Sequence, residues 1–259
     1  MNHKARKRFG QNFLHDTALI GRIVDVIQPS VHDNLIEIGP GQGALTFPLL
    51  DACKKMTAIE LDRDLVAYLQ SKVEPDQLTV LSQDVLTVDF KQFSGKLRIV
   101  GNLPYNISTP IMMHLLRADF QIKDMHFMLQ KEVVDRLAAE PGTKQYGRLS
   151  IVTQFCCDVI PLFNVPPTCF NPEPKVMSAI VRLLPKTLTH EQTQLLDRLQ
   201  AVAKQAFSMR RKTLRNNMKG TLNDDDFTQL ELDPSRRAEQ LSVDEYVKIA
   251  LYLNDIQSN

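Results

Sequence analysis

The run Gly101-Asn102-Leu103-Pro104-Tyr105-Asn106 sets an amide side chain, a proline and an aromatic ring in succession, directly after the apolar run Leu97 to Val100. An exocyclic amino nitrogen of a nucleobase is a poor nucleophile, because its lone pair is delocalised into the ring. A site that alkylates it must accept the amino hydrogens and favour the pyramidal form. Here the Asn102 side-chain oxygen and the Leu103 backbone carbonyl could accept the two amino hydrogens, and Pro104 would fix the turn that aims them. Tyr105 offers a face on which an extracted base can stack. Stacking needs the ring and not the hydroxyl, so Tyr105→Phe is expected to be mild. The competing reading of the same run is a β-turn followed by a core tyrosine.

A second group of residues suits a nucleotide-like cofactor. Glu37-Ile38-Gly39-Pro40-Gly41-Gln42-Gly43-Ala44 follows an apolar run and precedes a helix, and its glycines let the backbone pass close to a ligand. Gly39, Gly41 and Ala44 also fit the G-x-G-x-x-G/A pattern of dinucleotide-binding folds, so the turn alone is ambiguous. Glu60, Asp84 and Asn102 each fall at the carboxyl end of a successive expected strand, where open α/β sheets bind ligands. Glu60 suits a pair of ribose hydroxyls, which nicotinamide enzymes and methyltransferases share. Asp84 suits an adenine amino group, with a turn cap as its alternative. Asp62 and Asp64 read as caps for a helix from Arg63.

The elements that must position these groups are legible as alternating patterns. Thr17 to Gln28 has helical spacing behind a capping Asp16. Apolar runs at Leu35–Ile38, Met56–Ile59, Leu78–Leu81, Leu97–Val100 and Met125–Leu129 are separated by helix-length stretches, which implies a mainly parallel, doubly wound sheet. Leu149–Phe155 and Met177–Leu184, joined by a Pro-rich loop, read as a final antiparallel pair. Beyond Pro185 the strand pattern stops. Leu195 to Phe207 and Leu241 to Leu253 have helical spacing, the latter capped by Ser242. The expected architecture is α/β, a Rossmann-like domain over 1–186 with a small helical domain over 187–259.

The 259 residues suffice for such a domain and an appendage. Net charge is only +1, but its distribution is uneven. No acidic residue lies between Asp197 and Asp224, while Arg198, Lys204, Arg210, Arg211, Lys212, Arg215 and Lys219 do. Lys4, Arg6, Lys7 and Arg8 form a second basic cluster. Two such clusters flanking a catalytic-looking domain suggest phosphate contact, although either alone reads equally as a solvated face. Cys53, Cys156, Cys157 and Cys169 lack C-x-x-C spacing and read as reduced core thiols. The histidines (His3, His15, His32, His114, His126 and His190) lack ligand spacing, so no metal is expected. With neither a membrane-length apolar stretch nor a signal-peptide core, the chain is expected to be soluble and cytoplasmic.

The Asn102 to Tyr105 run resembles the N/D-P-P-Y/F motif of enzymes that methylate exocyclic amino groups. Nearly the whole chain resembles the bacterial small-subunit (16S) ribosomal RNA adenine dimethyltransferases. Four blocks carry the resemblance: Phe9 to Leu14, Glu37 to Thr46, Asn102 to Pro110, and Phe170 to Val176. It implies a class I methyltransferase fold and S-adenosyl-L-methionine as cofactor, held by Gln11, Asn12, Leu14, Gly39, Gly41, Glu60, Asp84 and Asn102. It further implies catalysis by Asn102, Leu103, Pro104 and Tyr105, with Phe170 as the second face of a base sandwich. Two methyl groups would go to each of two adjacent adenosines in a hairpin near the 3′ end of small-subunit RNA, within a pre-30S particle and by a monomer. Arg210, Arg211 and Lys212, with Arg6, Lys7 and Arg8, would face the RNA. Three rivals stand beside this reading. A nicotinamide oxidoreductase rests on the glycines and Glu60, an RNA-binding assembly factor on the basic clusters, and a DNA adenine methyltransferase on the catalytic motif alone.

Overall fold

A computed structural model describes residues 11–105, 107–116 and 121–258. The expected basic residues Arg6, Lys7 and Arg8, and Asn106 of the catalytic run, lie outside them. In chain order the elements begin β1 (Phe13–Leu14), α1 (Thr17–Ile27), β2 (Asn34–Ile38), α2 (Thr46–Cys53), β3 (Met56–Glu60), α3 (Arg63–Gln70), β4 (Leu78–Ser82), β5 (Leu97–Asn102) and α4 (Ser108–Leu116). They continue with β6 (Ile122–Gln130), α5 (Lys131–Leu137), α6 (Arg148–Cys156), β7 (Cys157–Val165), β8 (Phe170–Asn171) and β9 (Ser178–Pro185). The chain ends in α7 (His190–Ala206), α8 (Leu214–Asn217), α9 (Asp224–Gln229) and α10 (Val243–Ser258). No helix among the described residues is long and apolar enough to cross a membrane.

Seven strands form one sheet in the order β4-β3-β2-β5-β6-β9-β7. The pairs from β4 to β6 are parallel, and β9 lies antiparallel to β6. Parallel strands carry helices on both faces, so they are apolar throughout rather than alternating. Accordingly Leu35, Ile36, Ile99 and Val100 are all fully buried. Because β3 and β5 flank β2 on opposite sides, the chain reverses its direction of travel across the sheet there. That switch point is where an open α/β sheet opens a crevice at its carboxyl ends.

The helices are placed by their caps and apolar faces. Asp16 accepts the Leu19 N–H at 2.9 Å to start α1, and Ile23 and Ile27 bury that helix in the core. Each such side chain contributes roughly 1.5–3 kcal/mol by leaving water. At the amino end of β5, opposite the site, Arg98 is buried and fully engaged. It meets Asp124 at 2.8 Å and Asp33 at 2.6 Å, and donates to the carbonyls of Ile27 and Gln28. A guanidinium taken out of water needs this many acceptors, and they tie the strand to the end of α1.

The chain divides into two compact units. One runs to Val134 and resumes over Ile160–Pro185; the other combines Asp135–Val159 with Lys186 onward. Residues 135–159 therefore group with the C-terminal helices rather than with the first unit, where the sequence placed them. Leu149–Phe155 is also not a strand but most of α6. That helix buries residues on nearly every side, Ser150 and Thr153 included, so no 3.6-residue period is visible. The edge strand at this point is β7, whose exposed Asp158, Pro161 and Asn164 hid it as an apolar run. Within the helical unit, Thr189 and Gln192 cap α7, and Ser242 and Glu245 cap α10. Phe207 and Tyr246 stack there with ring centroids 6.2 Å apart.

Candidate active site

A cavity of about 360 Å³ opens at the carboxyl ends of β2, β3, β4 and β5. Gln11, Asn12, Leu14, Gly39, Gly41, Glu60, Asp84 and Asn102 all line it, as do Leu103, Pro104 and Tyr105. Groups read from five separate stretches of sequence thus meet in one place.

The glycine turn forms one wall. Gly41 has φ of +58°, and a Cβ there would lie 3.3 Å from the Phe13 ring, so this position needs glycine for conformation and for space. Gly101 matters for a different reason. A Cβ there would stand 2.4 Å from the Ile38 carbonyl oxygen, so glycine lets β5 and β2 close together just before Asn102.

Two carboxylates sit beside this turn. Glu60 is 8% exposed and accepts the Asp62 N–H at 2.8 Å on one oxygen and the Gly41 N–H at 3.3 Å on the other. Burial pushes its carboxyl above the usual range against the pull of those N–H groups. Each oxygen has two acceptor positions, so the pair retains capacity for a diol. Asp84 accepts the Leu86 N–H at 3.0 Å while also lining the cavity, so it is both a turn cap and a wall residue. Asp62 caps α3 and also accepts Nε2 of Gln11 at 3.2 Å. Glu37, to which the sequence reading gave no role, is wholly buried and accepts the Thr46 hydroxyl at 2.6 Å. Burial raises its carboxyl to about 7, against the Thr46 hydrogen bond and with help from the nearby charge of Glu60.

The run from Asn102 to Tyr105 forms another wall of the cavity. Nδ2 of Asn102 donates to the Asn12 carbonyl at 3.2 Å, and the Leu103 N–H donates to the Met128 carbonyl at 3.2 Å. The Ile107 N–H returns to the Pro104 carbonyl at 3.1 Å, beyond the two acceptors. Tyr105 is neither a core residue nor free at its tip: its phenol oxygen lies 2.6 Å from Oγ of Ser178. The sequence carried no signal for that partner.

Phe170 is not brought to the cavity. It is 1% exposed and packs in the core cluster with Leu14, Val165 and Cys169, while β8 pairs with β1. In this arrangement Phe170 anchors the N-terminal segment and presents no open face to a base. The basic triplet lies in the helical unit, where Arg210, Arg211 and Lys212 are all exposed. Arg210 pairs with Glu239 at 3.2 Å and donates to the Lys144 carbonyl, so part of its work is to hold its own unit together.

These features fit S-adenosylmethionine: a buried acid with spare acceptor capacity, a glycine turn pressed against the cavity, and Asp84 beyond the third strand of the series. A nicotinamide reading leaves Asn102 to Tyr105 without work. Comparison with known proteins agrees. Residues 2–255 match the family model described as ribosomal RNA adenine dimethylase. The chain is 51% identical over 256 residues to ribosomal RNA small subunit methyltransferase A of Legionella pneumophila strain Lens, covering 98% of this chain and 100% of that one. It is 52% identical over 259 residues to the protein of the same name from Shewanella frigidimarina, covering 98% and 97%. Among solved structures, a dimethyladenosine transferase from Plasmodium falciparum superposes with a TM-score of 0.78 at 26% identity, covering 94% of this chain and 98% of that one. The 23S rRNA methyltransferase ErmE shares the fold, with a TM-score of 0.72 at 23% identity over 94% of this chain and 100% of that one. The chain belongs to the ribosomal RNA adenine dimethylase family.

Proposed function

We propose that this chain is the S-adenosylmethionine-dependent enzyme that converts two adjacent adenosines in the 3′-terminal hairpin of small-subunit ribosomal RNA to N6,N6-dimethyladenosine. The observation that carries the reading is the placing of Asn102 and Tyr105 on the wall of the same cavity as Glu60 and the glycine turn. Acceptors for an amino group and acceptors for a ribose are thereby set in one chamber.

S-adenosylmethionine, when bound, supplies the methyl group as a sulfonium. Glu60 would hold the ribose hydroxyls, Asp84 the adenine amino group, and Gln11, Asn12 and Leu14 would cover the site from the N-terminal side. Asn102 Oδ1 and the Leu103 carbonyl would accept the target amino hydrogens, which favours the pyramidal nitrogen as it attacks. Tyr105 would carry the extracted base on its ring. Positioning is the main source of rate in such a transfer.

The finer proposal concerns the setting. The exposed Arg211 and Lys212 favour a structured, phosphate-rich substrate, which supports an assembling 30S particle as the setting; the further expectations are that the enzyme acts there as a monomer and in the cytoplasm. The test is incubation of the protein with labelled S-adenosylmethionine and small subunits from a strain lacking this methylation. Label in dimethyladenosine at two neighbouring positions supports the proposal, and label absent from the particle or found only at other positions of its RNA contradicts it.

A further inference from the structure

We infer that Ser178 is a positioning residue for methyl transfer, acting on the target base through the Tyr105 hydroxyl. The inference rests on the reading above that Tyr105 carries the base.

Oγ of Ser178 lies 2.6 Å from the Tyr105 phenol oxygen, and either group can donate. The two residues differ in surroundings. Ser178 is fully buried, while Tyr105 is partly exposed on the cavity wall. Ser178 is also held firmly: it opens β9 and stands opposite Gln130 of β6 in an antiparallel register that continues through Ala179 and Leu129. On its other side the Lys131 N–H donates to the Met177 carbonyl at 2.9 Å.

Strand β6 is the same strand that pairs with β5 and sets Asn102 opposite Met128. The amide and the phenol are therefore referred to one rigid frame, Asn102 through its strand and Tyr105 through Ser178. Without the hydroxyl pair, the Tyr105 ring would lose its tie to β9, and rotation about its side-chain bonds would swing the base relative to the acceptors. Burial raises the Tyr105 phenol above its ordinary range, opposed by the Ser178 bond, so it stays protonated at neutral pH. A base flipped onto a ring that wanders is bound but poorly aimed, and small misplacement is costly for in-line transfer.

The test is a set of variants, Ser178→Ala, Tyr105→Phe, the double variant and Tyr105→Ala, assayed by single-turnover methylation of undermethylated small subunits. Cofactor affinity and particle affinity are measured alongside. Losing a hydrogen bond between neutral groups should slow single-turnover transfer by about 3- to 10-fold in either conservative variant. The double variant should be no slower than the slower single variant, because both remove one bond. Cofactor and particle affinities should stay at wild-type values, which a general loosening of the site would not allow. If Ser178→Ala does not fold, Tyr105→Phe removes the same bond from the cavity side and decides alone. Wild-type transfer by Tyr105→Phe, or multiplicative losses in the double variant, overturns the role of Ser178. Wild-type transfer by Tyr105→Ala instead overturns the reading that Tyr105 carries the base.

Discussion

Asn102 donates from Nδ2 to the backbone carbonyl of Asn12 at 3.2 Å, joining residues 90 positions apart. A carbonyl only accepts, so the bond turns the nitrogen edge of the amide toward Asn12 and leaves Oδ1 as the edge that can take an amino hydrogen. It also fastens the Asn12 segment to the end of β5. Asn102→Asp removes the donor and sets two acceptors against each other. We expect the segment from Asn12 to His15 to open more often, with the His15 amide, bonded to the Cys169 carbonyl at 3.0 Å, exchanging about 2- to 10-fold faster. Unchanged exchange would show that the Asn102 bond does not hold the segment.

Glu37 gives the fold a pH dependence of known sign. Its carboxyl ionises near its ordinary 4.5 in the unfolded chain and at about 7 in the folded one. As pH rises the unfolded chain loses its proton first, so this group's contribution to stability is full below pH 4.5 and is lost by about pH 7. Glu37→Gln keeps an acceptor for the Thr46 hydroxyl and cannot ionise. Denaturant unfolding of the unliganded protein at pH 5 and pH 8 should show a smaller decline in the variant than in wild type, by on the order of 2 kcal/mol. Equal declines contradict the buried-acid assignment.

Phe170 separates structure from chemistry. Because it is buried in the core beneath the N-terminal segment, Phe170→Ala should destabilise the protein by roughly 3–5 kcal/mol. A variant with wild-type stability and lost methylation would instead assign the ring to the base.

The positions of most site residues were legible from sequence, for a physical reason. Glu60 and Asn102 each end a largely buried parallel strand and Asp84 follows the parallel edge strand β4, and all three strands announce themselves as apolar runs, so their carboxyl ends can be counted along the chain. What the sequence did not reveal depends on neighbours distant in the chain. Ser178 is an ordinary residue at a strand start until Tyr105 is placed beside it. Phe170 stands in a conspicuous motif, yet its burial follows from β1 pairing with β8, a ladder too short to leave a pattern. The α6 segment was misread because a helix buried on nearly all sides has the same apolar run as a strand.

The basic triplet divides by its contacts. Arg210 is tied to Glu239 and to the Lys144 carbonyl, whereas Arg211 and Lys212 are exposed with no ion pair among the described residues. Replacing Arg211 and Lys212 with Ala should weaken binding to small subunits and lower the slope of log affinity against log salt by about 2. Cofactor affinity should not change. Binding with the wild-type salt slope would make the pair a solvated face.

The central claim is that Asn102 accepts a hydrogen of the target amino group as the methyl group transfers, and single-turnover methylation by Asn102→Ala tests it most directly. Affinities for S-adenosylmethionine and for undermethylated small subunits should fall little, because the interaction strengthens only as the nitrogen becomes pyramidal. The transfer rate should fall by about 10²–10³, the usual cost of one preorganised polar contact. A variant that binds both partners and transfers methyl groups at the wild-type rate would show that the run from Asn102 to Tyr105 is only a turn.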